Sequence, residues 1–272
     1  MYMQNLHTHC TYCDGKDTPR EMIEWAIKKG FDSIGFSSHS PMFYSPAYAI
    51  TPVAIPKYSK EIYSLRDEYA DKIKIYCGWE YDMYSDCDMG KFDYLIGSMH
   101  YFKIGNSYIG FDRSIAMVLD VINTCFGGDG LRYAKRYYEE ICDLPKYGDF
   151  DIIGHFDIIT KQCENADLFD VNSKEYLNYA FEAISALKGK IPLFEVNTGA
   201  ISRGYRTTPY PSIPIIKEFK RQGFGVVISS DCHDGEYLDC HFKESVELLK
   251  SCGFKEKYIL TDNGFKAIGL EE

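Results

Sequence analysis

The sequence predicts an α/β fold in which parallel strands alternate with helices around a barrel, and two observations carry that expectation. Short apolar, β-branched or aromatic runs recur along the chain with longer amphipathic segments between them, the pattern of repeated βα units. At 272 residues the chain is long enough for one large barrel with a single core. Seven strands are expected, at residues 2–6, 33–37, 73–78, 92–97, 151–154, 192–196 and 225–229, with 258–261 as a candidate eighth.

The helix after the first strand is announced by its ends. Thr18 can cap its N-terminus, Pro19 suits the first helical position, Glu21 completes a capping box, and Gly30 stops it. Met22, Ile23, Ala26 and Ile27 supply an apolar stripe at helical spacing, suited to a core face. Further helices are expected at 57–69, 173–187, 213–222 and 242–251. The connection over about 101–150 is longer than barrel loops usually are. Apolar spacing predicts helices at 113–123 and 131–142 within it, with Phe126-Gly127-Gly128-Asp129-Gly130 as the turn between them. Such an inserted helical region over a barrel mouth is expected to form part of a substrate pocket. Residues 1–272 are expected to form a single domain, with no internal repeat and no low-complexity tract.

The composition, 45% hydrophobic and 26% charged, is that of a soluble globular protein, enriched in aromatics with 23 Tyr and 17 Phe. A net charge of −10 argues against a nucleic-acid partner, because phosphate backbones are bound through clustered Lys and Arg. A small anion captured locally remains compatible. The N-terminus lacks a basic region followed by an apolar core, so a cytoplasmic location is expected. No run approaches the roughly 18 apolar residues of a membrane-spanning helix, so no membrane partner is expected. The 10 cysteines show no compact spacing framework and are expected to be reduced thiols. Cys10-x-x-Cys13 has no second pair to complete a four-sulfur site and is not read as a functional motif.

The candidate chemistry lies at the strand ends. His7 and His9 follow the first expected strand, His39 the second, Glu80 the third, His100 the fourth, His155 the fifth, and Asp231 with His233 the seventh. Six of the 7 histidines are placed this way, and His241, at a helix start, is expected on the surface. In a parallel barrel the C-terminal ends of different strands converge on one face, where active sites form. Imidazoles and carboxylates together are ligands for Zn²⁺, Mn²⁺ or Fe, and a carboxylate can bridge two such ions. His7-x-His9 can reach one ion from one side, and Asp231-Cys232-His233 repeats that spacing with mixed donors.

Six motifs extend the pattern nearly end to end: His7-Thr8-His9 followed by Asp14-Gly15, Ser38-His39, Gly78-Trp79-Glu80, Gly97-Ser98-Met99-His100, Gly154-His155-Phe156-Asp157 and Ser230-Asp231-Cys232-His233. They resemble the polymerase and histidinol phosphatase superfamily and, within it, the metal-dependent histidinol-phosphate phosphatases. The resemblance implies a distorted seven-stranded (β/α)7 barrel, a trinuclear metal site, and Asp14 as a ninth ligand. Nine donors, at about three to four protein ligands per catalytic ion, imply two or three metals. The resemblance also implies two basic residues holding a phosphate, for which Lys161 and Arg203 are the nearest matches. An arginine is more usual at the first position, where Lys161 offers a point charge in place of a bidentate fork. Arg206 is the rival to Arg203, and Asp157 and Asp17 are candidates for orienting imidazoles.

The implied reaction is hydrolysis of a phosphate monoester, L-histidinol phosphate giving L-histidinol in histidine biosynthesis, with a metal-bound hydroxide attacking phosphorus in line. Arg203 and Lys161 would neutralise the phosphoryl oxygens, and Asp231 or a bound water would protonate the leaving oxygen. Asp112, Asp129, Tyr101 and Phe102 of the insertion are candidates to meet the substrate's ammonium and imidazole. Competing readings are a phosphoesterase acting on a nucleotide or nucleic-acid end, and a non-catalytic metal-binding module. A metal-dependent amidohydrolase would call for a bridging lysine, where this chain has Glu80.

Overall fold

The computed structural model describes residues 1–88 and 90–272. Its first half runs β1 (Gln4–Asn5), α1 (Pro19–Lys28), β2 (Ser33–Phe36), α2 (Ile55–Glu68), β3 (Lys74–Asp82), β4 (Tyr94–Ser98), β5 (Tyr101–Ile104), β6 (Ser107–Gly110), α3 (Ile115–Phe126) and α4 (Gly130–Ile141). The second half continues with β7 (Ile152–Ile153), α5 (Lys174–Leu187), β8 (Leu193–Asn197), α6 (Gly199–Ser202), α7 (Ile213–Gln222), β9 (Gly225–Ser229), α8 (Phe242–Ser251), β10 (Glu256–Thr261) and β11 (Gly264–Gly269). Short 3₁₀ turns fill several of the connections.

Seven strands pair in the order β1-β2-β3-β4-β7-β8-β9, all parallel. The ring closes just past the ends of β1 and β9. Thr8 bridges Cys232 in parallel register, His9 N donates to Cys232 O at 2.8 Å, and Cys232 N donates to His7 O at 3.0 Å. The bonds that make the sheet a barrel therefore come from the same two tripeptides that carry the candidate ligands.

The barrel interior is a small apolar cluster that includes Leu6, Tyr94, Ile96, Ile152, Leu193 and Val227. Tyr94 crosses it to donate to Leu6 O. That crossing requires Gly35, because a Cβ there would lie 2.4 Å from Tyr94 Oη. The larger core lies outside the sheet, where α1, α2, α5 and α7 bury their apolar stripes. The capping box at Thr18 and Glu21 is formed, Ser173 caps α5, and α7, α8 and β9 have the predicted bounds.

Three expectations change. Residues 258–261 belong to β10, which pairs antiparallel with β11 and lies outside the seven-stranded sheet. Gln4 Nε2 donates to Leu260 O at 2.9 Å and Gln4 Oε1 accepts from Leu260 N at 2.7 Å, so this hairpin plugs the end of the barrel opposite the histidines. The insertion opens with a hairpin, β5 against β6, turning at Gly105 and Asn106, where Gly105 takes φ 60°. Only then come α3, which starts at Ile115 because Ser114 caps it, and α4, capped by Asp129. Finally, β3 runs through to Asp82, so Glu80 sits within the strand and bridges His39 in parallel register. Among the described residues all ten cysteines are free, and no helix is long and apolar enough to cross a membrane.

Candidate metal centre and active site

Alternation along an extended chain places residues i and i+2 on the same side. His7 and His9 therefore share the inner face of the β1 extension, and Glu80 and Asp82 share the inner face of β3. Asp231 adopts φ 44°, a left-handed conformation that a non-glycine residue holds only when its surroundings impose it. Here the imposing contacts are the barrel-closing bonds of Cys232.

Glu80 is the hub. Its Oε2 lies 2.7 Å from His39 Nδ1, 3.4 Å from His7 Nε2 and 3.6 Å from His9 Nε2. Its Oε1 lies 2.8 Å from His155 Nε2 and 3.4 Å from His100 Nε2. Asp231 Oδ1 lies 3.1 Å from His9 Nε2 and 3.5 Å from His7 Nε2. Asp14 Oδ1 lies 3.3 Å from His233 Nε2 and 3.7 Å from His39 Nε2. The His9 and His233 rings stack at 4.0 Å. All nine expected donors thus fall in one cluster, and they divide into four overlapping sets with donor atoms mutually within 4.8 Å: His9, Asp14, His39 and His233; His7, Glu80 and His155; His7, His9 and Asp231; His39, Glu80 and His100.

The donors fit divalent cations. His7 Nε2, His9 Nε2, His39 Nδ1 and Glu80 Oε2 are buried and make no hydrogen bond among the described residues, although they face one another at 2.7 to 3.6 Å. Buried polar atoms without partners are costly, and lone pairs converging on shared space are what a cation satisfies. The charge balance says the same. Burial opposes charge on His39 and His7, yet His39 is pushed up to about 10 by Glu80 and Asp14, and His7 well above its usual range by Glu195, Glu80 and Asp231. Burial likewise opposes ionisation of Glu80 and Asp231, which the imidazoles and Arg203 nonetheless hold well below the usual carboxylate range. Burial, His233 and His39 bring His9 down to about 3. Divalent ions balance such carboxylates in place of protons. Cys13 Sγ lies 3.4 Å from His9 Nδ1, so one thiol of the Cys10 pair touches the cluster.

Two acids behind the donors were not anticipated. Glu195 accepts from His7 Nδ1 at 3.0 Å, and Asp82 accepts from His100 Nδ1 at 3.1 Å, leaving each Nε2 turned toward Glu80. These are the contacts that fix tautomer and ring orientation. The signal for Glu195 was a lone acid inside the apolar strand Leu193-Phe194-Glu195-Val196, and for Asp82 its i+2 spacing from Glu80. The acids proposed for that role act elsewhere. Asp157 accepts from Ser212 N at 2.9 Å, and Asp17 accepts from Gly235 N at 2.7 Å, tying the loop after β1 to the loop after β9.

Beside the cluster opens a cavity of about 270 Å³, whose walls include Tyr48, Asp112, Arg113, Lys161, Arg203 and Tyr205. Arg203 donates from Nη2 to Asp231 Oδ2 at 2.8 Å and from Nη1 to Asp231 O at 3.0 Å. Lys161 pairs with Asp112 and lies 4.3 Å over the Tyr205 ring. Arg206 points away, donating to Thr160 and to Thr208 Oγ1 at 3.1 Å. Of the four insertion residues considered for substrate contact, Asp112 lines the cavity. Tyr101 stands behind it, accepting from Tyr48 at 2.7 Å. Phe102 is buried against Phe111, and Asp129 is spent capping α4. His241 is exposed at the start of α8.

Comparison with known proteins agrees with this geometry. The chain is 24% identical over 255 residues to a histidinol-phosphatase of Bacillus subtilis, covering 86% of this chain and 94% of that one. It is 25% identical over 274 residues to a histidinol-phosphatase of Lactococcus lactis, covering 96% and 94%. The crystal structure of the Lactococcus lactis histidinol phosphate phosphatase complexed with Zn, L-histidinol and phosphate superposes with a TM-score of 0.73 at 20% identity, covering 97% of this chain and 98% of that one. That likeness shows a shared fold. The family model for the PHP domain matches residues 5–199, a span that runs from the first histidine pair through Glu195, and the chain belongs to the PHP domain family.

Proposed function

We propose that this chain is a metal-dependent phosphomonoesterase that hydrolyses L-histidinol phosphate to L-histidinol and phosphate in histidine biosynthesis. The observation that carries the reading is the meeting of the nine-donor cluster with Arg203 and Lys161 around one small cavity. The full-length similarity to histidinol-phosphatases supports the substrate.

His7, His9, Asp14, His39, Glu80, His100, His155, Asp231 and His233 would hold two or three divalent ions, Zn, Mn or Fe, with Glu80 shared between sets. When bound, such ions acidify water and draw charge from phosphoryl oxygens. Glu195 and Asp82 hold His7 and His100 in the tautomer that leaves Nε2 free to ligate. Arg203 and Lys161 neutralise the non-bridging oxygens as charge moves toward the leaving group. A water in the cavity, or Asp231 after taking a proton from it, would give a proton to the leaving alcohol oxygen.

The Asp112–Lys161 ion pair suits a substrate that carries ammonium and phosphate on neighbouring carbons. The phosphate takes Lys161, the ammonium takes Asp112, and each charge exchanges one partner for another. Tyr48 and Tyr205 offer faces for the imidazole. The insertion at 101–150 then forms one wall of the substrate site through Asp112 and Arg113, and residues 1–272 work as a single domain. Ten free thiols support a cytoplasmic setting.

Reconstitution with Zn²⁺, Mn²⁺ or Fe²⁺ and phosphate-release assays on L-histidinol phosphate, a nucleoside monophosphate and p-nitrophenyl phosphate test the reading. The highest kcat/KM is expected for L-histidinol phosphate. No release from any monoester would sink the enzymatic assignment, and a higher kcat/KM for the nucleotide would displace the substrate.

A further inference from the structure

A second cavity, of about 470 Å³, lies on the flank of the barrel between the segment that follows β8 and the start of α8. It shares no lining residue with the metal-side cavity. Two helix N-termini reach it, Ser212 to Pro214 of α7 and His241 to Ser245 of α8; neither N-cap side chain closes its own helix, and Asp157 Oδ2 accepts from Ser212 N at the first. Helix N-termini present free N–H groups and positive potential.

The lining also holds buried polar atoms with unmet hydrogen bonds. Ser245 is 1% exposed and its Oγ has no partner among the described residues. Arg206 is 9% exposed, and its Nε makes no hydrogen bond among the described residues, with Glu164 Oε1 3.6 Å away. Asp157 is fully buried, and its Oδ1 is likewise unmet while Oδ2 is used by Ser212 N. A buried group left without a partner costs free energy that a ligand or ordered water recovers.

The signs decide the ligand class. A simple anion would suit the two helix N-termini and Arg206 but would meet Asp157 and Glu244. A simple cation would suit those acids but would meet the helix termini. A molecule with a carboxylate and an ammonium a few ångströms apart answers both, and Val171, Ile201 and Leu248 receive an apolar side chain. We propose that this cavity binds a small zwitterion, a free α-amino acid with an apolar or aromatic side chain. The site is separate from the proposed phosphatase reaction and does not depend on it.

Titration calorimetry on the metal-loaded protein, in phosphate buffer to occupy the metal-side cavity, tests this with L-leucine and L-phenylalanine at up to about 10 mM. The N-acetyl and amide forms, each lacking one charge, serve as comparators. Saturable binding is expected for at least one free amino acid, weakened about tenfold or more in both derivatives, as loss of a charge-assisted contact predicts. Val171→Trp, which fills the cavity, should abolish binding, and Ser245→Ala should weaken it severalfold. Phosphatase activity should be unchanged in both variants, and melting curves check that each is folded. Should Val171→Trp fail to fold, Ser245→Ala decides. No saturable binding, equal binding of the derivatives, or binding indifferent to the folded variants overturns the proposal.

Discussion

Glu195→Gln isolates the contribution of a side chain that touches no candidate metal position yet governs one of its ligands. Glu195 is buried and accepts from four donors: His7 Nδ1 at 3.0 Å, His155 N at 2.6 Å, Asn197 Nδ2 at 2.7 Å and Ser229 Oγ at 2.6 Å. A carboxylate suits four donors because it only accepts, whereas a carboxamide replaces one oxygen with a donor. If the amide nitrogen takes the Oε2 position, it faces His7 Nδ1 and Ser229 Oγ. The serine hydroxyl can rotate, but His7 must move its proton to Nε2, the atom that faces Glu80 and Asp231. A protonated Nε2 cannot ligate. If the nitrogen takes the Oε1 position, it opposes the His155 amide and Asn197, leaving a buried donor unpaired at about 1–3 kcal/mol. Partners of this kind are worth roughly 10- to 100-fold in metal affinity or activity, or about 1.4–2.7 kcal/mol. Metal content by mass spectrometry and kcat/KM for L-histidinol phosphate should therefore fall together, with a lowered Tm. A folded Glu195→Gln protein whose metal affinity and kcat/KM match wild type would refute the reasoning.

Glu80→Ala should lower both metal stoichiometry and rate, because Glu80 contacts five imidazoles; full metal content in that variant would count against a shared cluster. Arg203→Ala should keep its metals and lose about 10²- to 10³-fold in kcat/KM, the scale for removing a donor to a developing anion, and an unchanged value would remove Arg203 from phosphate binding. Asp112→Asn should raise KM for L-histidinol phosphate while leaving that for p-nitrophenyl phosphate, which lacks an ammonium, within a small factor; equal effects on both would refute ammonium recognition. Gly15→Ala would place a Cβ 2.4 Å from Cys10 N and His9 C, so the loop must shift and carry Asp14 with it. That variant should lose metal bound by the set of His9, Asp14, His39 and His233, and unchanged metal content would show that Asp14 contributes no ligand.

Much of the site was legible because barrel chemistry is written at strand ends. A strand is a local pattern, so the residues that follow it can be named without knowing the fold, and His7, His9, His39, His100, His155, Asp231 and His233 were found that way. Glu80 was found the same way, just past the expected strand at 73–78, although β3 runs on to Asp82 and holds Glu80 within the strand. The hairpin of β5 and β6 was missed because a short strand pair with a Gly-Asn turn sits inside a region whose strongest periodicity is helical. The last strand was ambiguous for a related reason. A short segment with an apolar centre at Tyr258-Ile259-Leu260 pairs equally well within a barrel or across its end, and only the contact between Gln4 and Leu260 shows which.

By itself the sequence determined the alternation of strands and helices, the donor types and the places where they enter the site, since these depend on spacing within a few residues. The tertiary structure alone decided which carboxylate meets which imidazole. Glu195 and Asp157 are both buried acids near the site, and neither composition nor spacing says which group either one meets. Register and ring closure place Glu195 against His7 and turn Asp157 toward Ser212. The same closure links His7 and His9 to Asp231 and His233, residues more than two hundred positions apart, through the backbone bonds of Cys232. Contacts at such separation depend on how the whole sheet is rolled, which no local pattern encodes.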